Sequence, residues 1–394
     1  MTRSMAPASS AEAPASSTDS ADAEVTAASQ PVDAPHEARV LLVHLDMHSA
    51  NLGQTLVLAA ALRAENWDAQ IVCRKSAWLA FAAQQHDVPV HALPDEGEKS
   101  LGMAWKLLRA IHNKKNTTGK ATLVHACDLA ASHLVSLAWR LSKKFRIVHT
   151  RRIPIMEPNT KAMLCYQRPQ AKIITDSLAG EIALRLSGLD QHMLRTIPCC
   201  LETSSHPQRT HAVEERFIFA ITGDLTPLKG HSFLFDAMLH LDADTAMMPW
   251  EVRVLGSGPL FSSLLEEAQH KNVASRLAFL TGLDTAAELC RCDALVLPAS
   301  EGESYLPLIL HGWASGLPII TSNRLDHAEF LRHEANCLLT QSGSTAELAE
   351  QMARLTRDPA LHAQLVEGGK ASLQRFCLQR TVTEHRRLYR EILA

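Results

Sequence analysis

The stretch Arg216–Asp224, RFIFAITGD, decides the fold. A short run rich in Phe and Ile ends in a Gly-Asp turn, as a buried strand does where the chain is about to start a helix. Its position is what makes it informative. It follows ETSSHPQRTHA (202–212), a polar stretch with Pro that reads as a linker. Downstream, WEVRVLGSG, LAFLTG, ALVLPAS and LPIITS are further strand candidates, each followed by a turn or a helical pattern. Upstream, ARVLLVHLD (38–46), DAQIVC, ATLVHAC, RIVHT and AKIITDS alternate with helix-like runs such as TLVLAAALRAEN and ASHLVSLAWRLSKK. Strand, helix, strand in that rhythm means a parallel sheet covered on both faces. The chain builds one such sheet, pauses, and begins another. The expectation is an α/β protein of two Rossmann-like, doubly wound domains facing a central cleft, where the carboxyl ends of strands present ligands.

Boundaries follow from composition. Residues 1–38, almost all Ala, Ser, Thr, Pro, Asp and Glu, cannot bury enough apolar surface to offset chain entropy and read as a disordered tail. The two domains are assigned to 39–205 and 206–375. A C-terminal helix over 376–394 is expected to pack back on the first domain, and Gly368 and Gly369 to interrupt the helical pattern before it.

At 394 residues and 46% apolar composition the chain exceeds what one core organises. A formal charge of −3 and a pI near 6.7 exclude a nucleic-acid partner, which needs a clustered excess of Lys and Arg. The short runs NKKN (113–116) and SKKFR (142–146) read as solvated helix ends, with peripheral contact at the inner membrane surface as the other reading. Nine cysteines without CxxC spacing argue for a reducing compartment and against a metal site. No run spans a bilayer and no leader pattern opens the chain, so the expected location is cytoplasmic.

Candidate chemistry lies in the second domain, in loops that directly follow strands. In TGDLTPLKGHSFLFDAM (222–238), Gly223 turns the chain, and Lys229 and Gly230 precede a helix. An ammonium beside the unpaired N–H groups of a helix start attracts a diphosphate, although a bare Lys-Gly is also common in turns. In LGSGPL (255–260), Gly256 and Gly258 allow close backbone approach, or mark a plain strand-to-helix turn. The loop FLTGLDT (279–285) could offer backbone groups to a base. In PASEGESYLPLILHGWASGLPIIT (298–321), Pro307, Gly316 and Pro318 bracket a helix over 307–315. Glu303 stands just before that helix, with Ser304, Tyr305 and Leu306 at its start and His311 one turn inside. A carboxylate there can accept from sugar hydroxyls. Taken alone, Glu301 and Glu303 also read as solvated loop charges.

In this order, GDLTPLKG, GSGP, GESYLPLILHGWASGLP and HAEFLRHEANCLL resemble the G-[RK]-L-x-x-x-K-G, G-x-G-P and E-x7-E regions of GT-B glycosyltransferases of family 4. The resemblance covers about 39–394 and is strongest in the second half; VHACD, HTRR and ITDS carry it in the first. HTRR points to the bacterial enzymes that build lipopolysaccharide and related envelope glycans. The resemblance implies transfer of a sugar, with retention, from a nucleotide-diphosphate-sugar donor to an envelope glycan or lipid-linked acceptor, with neither a cofactor nor a dedicated metal. Lys229 would neutralise the diphosphate, Glu303 would hold the sugar, and Gly223, Gly230, Gly256, Gly258 and the amides of Ser304, Tyr305 and Leu306 would line the donor site. Departures from the pattern are clear. Asp224 stands where relatives carry an Arg, His311 replaces the Glu that grips the ribose, and Cys127 replaces the second His of an H-x-H-[DE] run, leaving His125. The N-terminal glycine-rich loop is reduced to SANLGQ, with Gly53 alone. Arg151, Arg152 or Arg324 could supply the missing cation. These departures also leave a second reading, a degenerate GT-B protein that binds a sugar nucleotide or a partner without turnover.

Overall fold

The computed structural model describes residues 38–47, 51–95, 101–112, 121–152, 164–166, 168, 170–201, 207, 209, 216–244, 247–298, 305–324 and 327–394. The tail over 1–37 and most of the linker stretch 202–212 lie outside these residues, as do NKKN and the pair Glu303–Ser304.

The first lobe runs β1 (Ala38–His44), α1 (Leu52–Ala64), β2 (Asp68–Arg74), α2 (Trp78–Gln85), β3 (Val90–Leu93), α3 (Leu101–Ile111), β4 (Ala121–Ala126), α4 (Leu129–Leu141), β5 (Arg146–Thr150), β6 (Lys172–Thr175), α5 (Leu178–Leu186) and β7 (Leu194–Thr196). Its strands form one parallel sheet in the order β3-β2-β1-β4-β5-β6-β7. Both faces are covered because alternate residues of one strand serve different cores: Val40 and Leu42 pack with α1 and α2, Leu41 and Val43 with α3 and α4.

The second lobe runs β8 (Phe217–Thr222), α6 (His231–Asp242), β9 (Trp250–Leu255), α7 (Phe261–His270), β10 (Leu277–Leu280), α8 (Thr285–Leu289), β11 (Ala294–Leu297), α9 (Leu306–Ala314), β12 (Ile319–Ser322), β13 (Leu338–Thr340), α10 (Thr345–Arg357), α11 (Pro359–Leu373) and α12 (Leu378–Leu393). Its parallel order is β10-β9-β8-β11-β12-β13. In RFIFAITGD, Phe217, Phe219 and Ile221 face one core and Ile218 and Ala220 the other.

Helix α12 returns to the first lobe. Val382, Leu388, Tyr389 and Ile392 join the core beneath β1 and α1, and Arg386 pairs with Glu65. Where the chain passes into α12 it meets the end of the first lobe: Leu201 N donates to Phe376 O at 3.2 Å, and Gln54 holds both backbone groups of Cys200. The expected Gly-Gly interruption is corrected. Helix α11 continues through Gly368 and Gly369 to Leu373, because a Cβ on Gly368 would lie 1.8 Å from Ala335 O and one on Gly369 2.4 Å from Trp313 Cδ1. The two glycines make room for neighbours rather than ending the helix. The helix expected over 307–315 forms as Leu306–Ala314, with Gly316 in the left-handed region at φ 76°.

Candidate functional site

Beyond the strand ends of the second lobe, the loops after β8 and β9 are zipped together. Gly223 N donates to Leu255 O at 3.1 Å, Leu225 N to Ser257 O at 3.0 Å, and Leu260 N to Leu225 O at 3.1 Å. This approach is possible only because two positions lack a side chain. A Cβ on Gly256, whose φ is 153°, would sit 2.1 Å from Gly223 O, and one on Gly258 2.6 Å from Leu225 N. Gly256 and Gly258 are therefore required by packing, and they place the β8 loop.

That loop then makes a 3-10 turn, Pro227–Lys229, and Gly230 at φ 77° redirects the chain into α6. Lys229 is buried, with its stem against Gly223. Its Nζ lies 4.8 Å from the centroid of the Tyr305 ring, and the Arg324 guanidinium lies 5.3 Å from the same centroid. Tyr305, itself 1% exposed, donates its hydroxyl to Leu228 O at 2.7 Å and so ties the start of α9 to the Lys229 turn. Two cations over one aromatic ring concentrate positive charge.

Helices α6, α7 and α9 begin here, and each lacks a side-chain cap, whereas α8, α10 and α11 are capped by Asp284, Ser344 and Asp358. Each start adds the positive end of its helix dipole to this region. The structure thus brings together Gly223, Lys229, Gly230, Gly256, Gly258, Tyr305 and Leu306. His311 is half-buried on the second turn of α9. Asp224 is half-buried between Gly223 and Leu225. Glu301, Glu303 and Ser304 lie outside the described residues.

His231, the first residue of α6, was not among the candidates from sequence. It is 2% exposed, neither ring nitrogen has a hydrogen-bond partner among the described residues, and burial, then the Lys229 charge, push its pKa down to about 4. The imidazole is neutral at pH 7. Its adjacency to Lys-Gly was visible, but its burial was not.

At the strand ends of the first lobe the side chains bond to one another. Asp128 caps α4 through Ala131 N at 2.7 Å and accepts from Leu45 N at 2.5 Å, with His44 Nε2 3.7 Å away. His125 Nδ1 is 2.7 Å from the Tyr389 hydroxyl of α12, and its Nε2 2.6 Å from Thr150 Oγ1. Burial first, then the charges of His385, Arg152 and His149, hold the His125 pKa well below its usual value. Arg151 and Arg152 follow β5 in this lobe, so Arg324 is the candidate replacement cation that stands with Lys229. All nine cysteines are free thiols. Among the described residues no cluster of three or more His, Cys, Asp or Glu could hold a metal, and no helix is long and apolar enough to cross a membrane.

Residues 216–358 match the family described as Glycosyl transferases group 1. The chain is 28% identical over 141 residues to N-acetyl-alpha-D-glucosaminyl L-malate synthase of Bacillus anthracis, covering 36% of this chain and 37% of that protein. It is 29% identical over 133 residues to the lipopolysaccharide core biosynthesis glycosyltransferase LpsD of Rhizobium meliloti, covering 33% and 38%. The chain therefore spans less than two fifths of the length of these curated relatives. The structure of Anabaena Alr3699/HepE with UDP and glucose superposes with a TM-score of 0.76 at 16% identity, covering 89% of this chain and 98% of that one. At residues 216–358 the chain carries a domain of glycosyl transferases group 1, within a two-lobed GT-B fold.

Proposed function

We propose that the protein is a retaining glycosyltransferase that moves a sugar from a nucleotide-diphosphate-sugar donor to a cell-envelope glycan or a lipid-linked acceptor. The observation that carries this reading is the pairing of buried Lys229 with Arg324 on the Tyr305 ring, beside the uncapped starts of α6 and α9. Negative charge develops on the departing nucleoside diphosphate as the glycosidic bond breaks. Donors fixed in advance of that charge stabilise it without an enzymic acid. In this role Lys229 meets the diphosphate directly and Arg324 supplies the charge that Asp224 does not. Glu303 holds hydroxyls of the transferred sugar, and His311 makes a single bond to the ribose in place of a carboxylate's two. The neighbour solved with UDP and glucose supports a nucleotide-sugar donor, and the LpsD relative supports an envelope acceptor. No cofactor besides the donor is called for.

Thermal-shift titration of the full chain against a panel of nucleotide sugars tests the reading. A true donor at 100 times its dissociation constant adds about 2.7 kcal/mol of stability. Lys229→Ala should abolish that shift and lower transfer at least about 100-fold. A panel without any shift, or a Lys229→Ala protein that still transfers, refutes it.

A further inference from the structure

The first lobe carries a basic surface on α3 and the α4–β5 turn, outside the Lys229 region. Eleven Lys and Arg and one Asp fall between residues 101 and 152, in a chain whose net charge is −3. Five of these cations, Lys106, Arg109, Arg140, Lys143 and Lys144, are exposed and have no carboxylate partner among the described residues. Other surface cations of the chain do find carboxylates: Lys172 and Arg195 pair with Glu391, Arg216 and Arg253 with Glu251, and Lys271 with Asp236 and Glu267.

The unpaired cations surround exposed apolar side chains. Leu101 and Trp105, one turn apart on α3, are 60% and 62% exposed, and Leu141 at the end of α4 is 46% exposed. Trp105, Arg109, Leu141 and Lys144 line one open groove of about 710 Å³ between α3 and the α4–β5 turn. On the same α4 end, Lys143 lies 5.6 Å from the Trp139 ring centroid. An aromatic ring beside long cationic side chains suits a boundary where apolar chains meet charged headgroups: the ring enters the apolar layer while the ammonium and guanidinium groups stay at headgroup level.

We propose that the α3 face and the α4–β5 turn dock this protein on an anionic phospholipid surface. Helix α3 then lies along the bilayer, with Trp105 and Leu101 inserted at headgroup depth and Arg109 and Lys144 on lipid phosphates. The proposal goes beyond sugar transfer and needs none of its residues, so either can fail alone. The test is co-sedimentation of the full chain with vesicles of phosphatidylcholine and phosphatidylglycerol in equal parts, against phosphatidylcholine alone, with no donor present. Binding is expected to the anionic vesicles, to weaken with added salt, and to fall about thirty-fold in the Arg109→Gln, Lys144→Gln double variant. Trp105→Ala should lower it about ten-fold. All of these side chains are exposed, so both variants should melt like the parent and keep any donor-induced thermal shift. Equal sedimentation with the two vesicle types, or a double variant that binds like the parent, overturns the proposal. A concentration-dependent dimer that covers Trp105 without vesicle binding assigns the face to a second copy and overturns it as well.

Discussion

The two lobes share an architecture and differ in what they do with the ends of their strands. In the first, His44 bonds to Thr55, Asp128 accepts from the Leu45 and Ala131 amides, and His125 bonds to Thr150 and to Tyr389 of the returning α12. In the second, glycine loops, uncapped helix starts and two cations on Tyr305 meet at the same topological position. The difference lies in the kind of group gathered at the strand ends: buried imidazoles and a carboxylate in the first lobe, glycine loops and two cations over one ring in the second. In the first lobe His125 ties the sheet to Tyr389 of α12, and in the second Tyr305 ties the start of α9 to the Lys229 turn.

Acid should expose that contrast with the largest effect. Burial is the leading cause that pushes His149 down to about 3 and His385 and His231 to about 4. These depressed values mean that each ring takes up a proton far more readily in the unfolded chain. Stability is therefore fully present above about pH 6.5 and is lost as pH falls toward 4. By pH 5 each of the three costs roughly 2 kcal/mol. His149 and His385 lie in the first lobe and its docked helix, so urea unfolding at pH 5 should lose amide protection there before it does in the second lobe. Loss in the reverse order breaks the comparison.

A smaller effect is expected from Gly256→Ala, which drives a Cβ into Gly223 O and pushes the β8 loop off the β9 loop. We expect a loss of about 3 kcal/mol in urea unfolding and donor affinity weakened more than ten-fold, since Lys229 rides on the displaced loop. Parent-like affinity would separate the glycine contact from the site. The smallest effect belongs to Tyr389→Phe, which removes one buried bond to His125. About 1–2 kcal/mol of stability should go, with the transfer rate unchanged. A large fall in rate would make the His125 network part of the chemistry and sharpen the contrast in the other direction.

Much of the architecture was legible because its causes are local. Alternating apolar residues in ARVLLVH and FIFAIT, and Gly316 before Pro318, declare strands and a helix end within a few residues. Gly256 and Gly258 allowed close backbone approach by residue type, with a plain turn as the other reading, and Lys229 beside Gly230 announced a helix start. Gly368 and Gly369 were misread because their reason lies with Ala335 and Trp313, more than thirty and more than fifty residues away.

Composition and period along the chain suffice for two parallel sheets, for where each strand hands over to a loop, and for the residues those loops contain. Packing at long range settled the rest. It set Arg324 and Lys229 on one ring, left His231 buried and neutral, and joined His125 to a tyrosine 264 residues later. Backbone preferences are written in each residue and its neighbours, whereas the charge and solvation of a side chain depend on which distant atoms the fold brings against it.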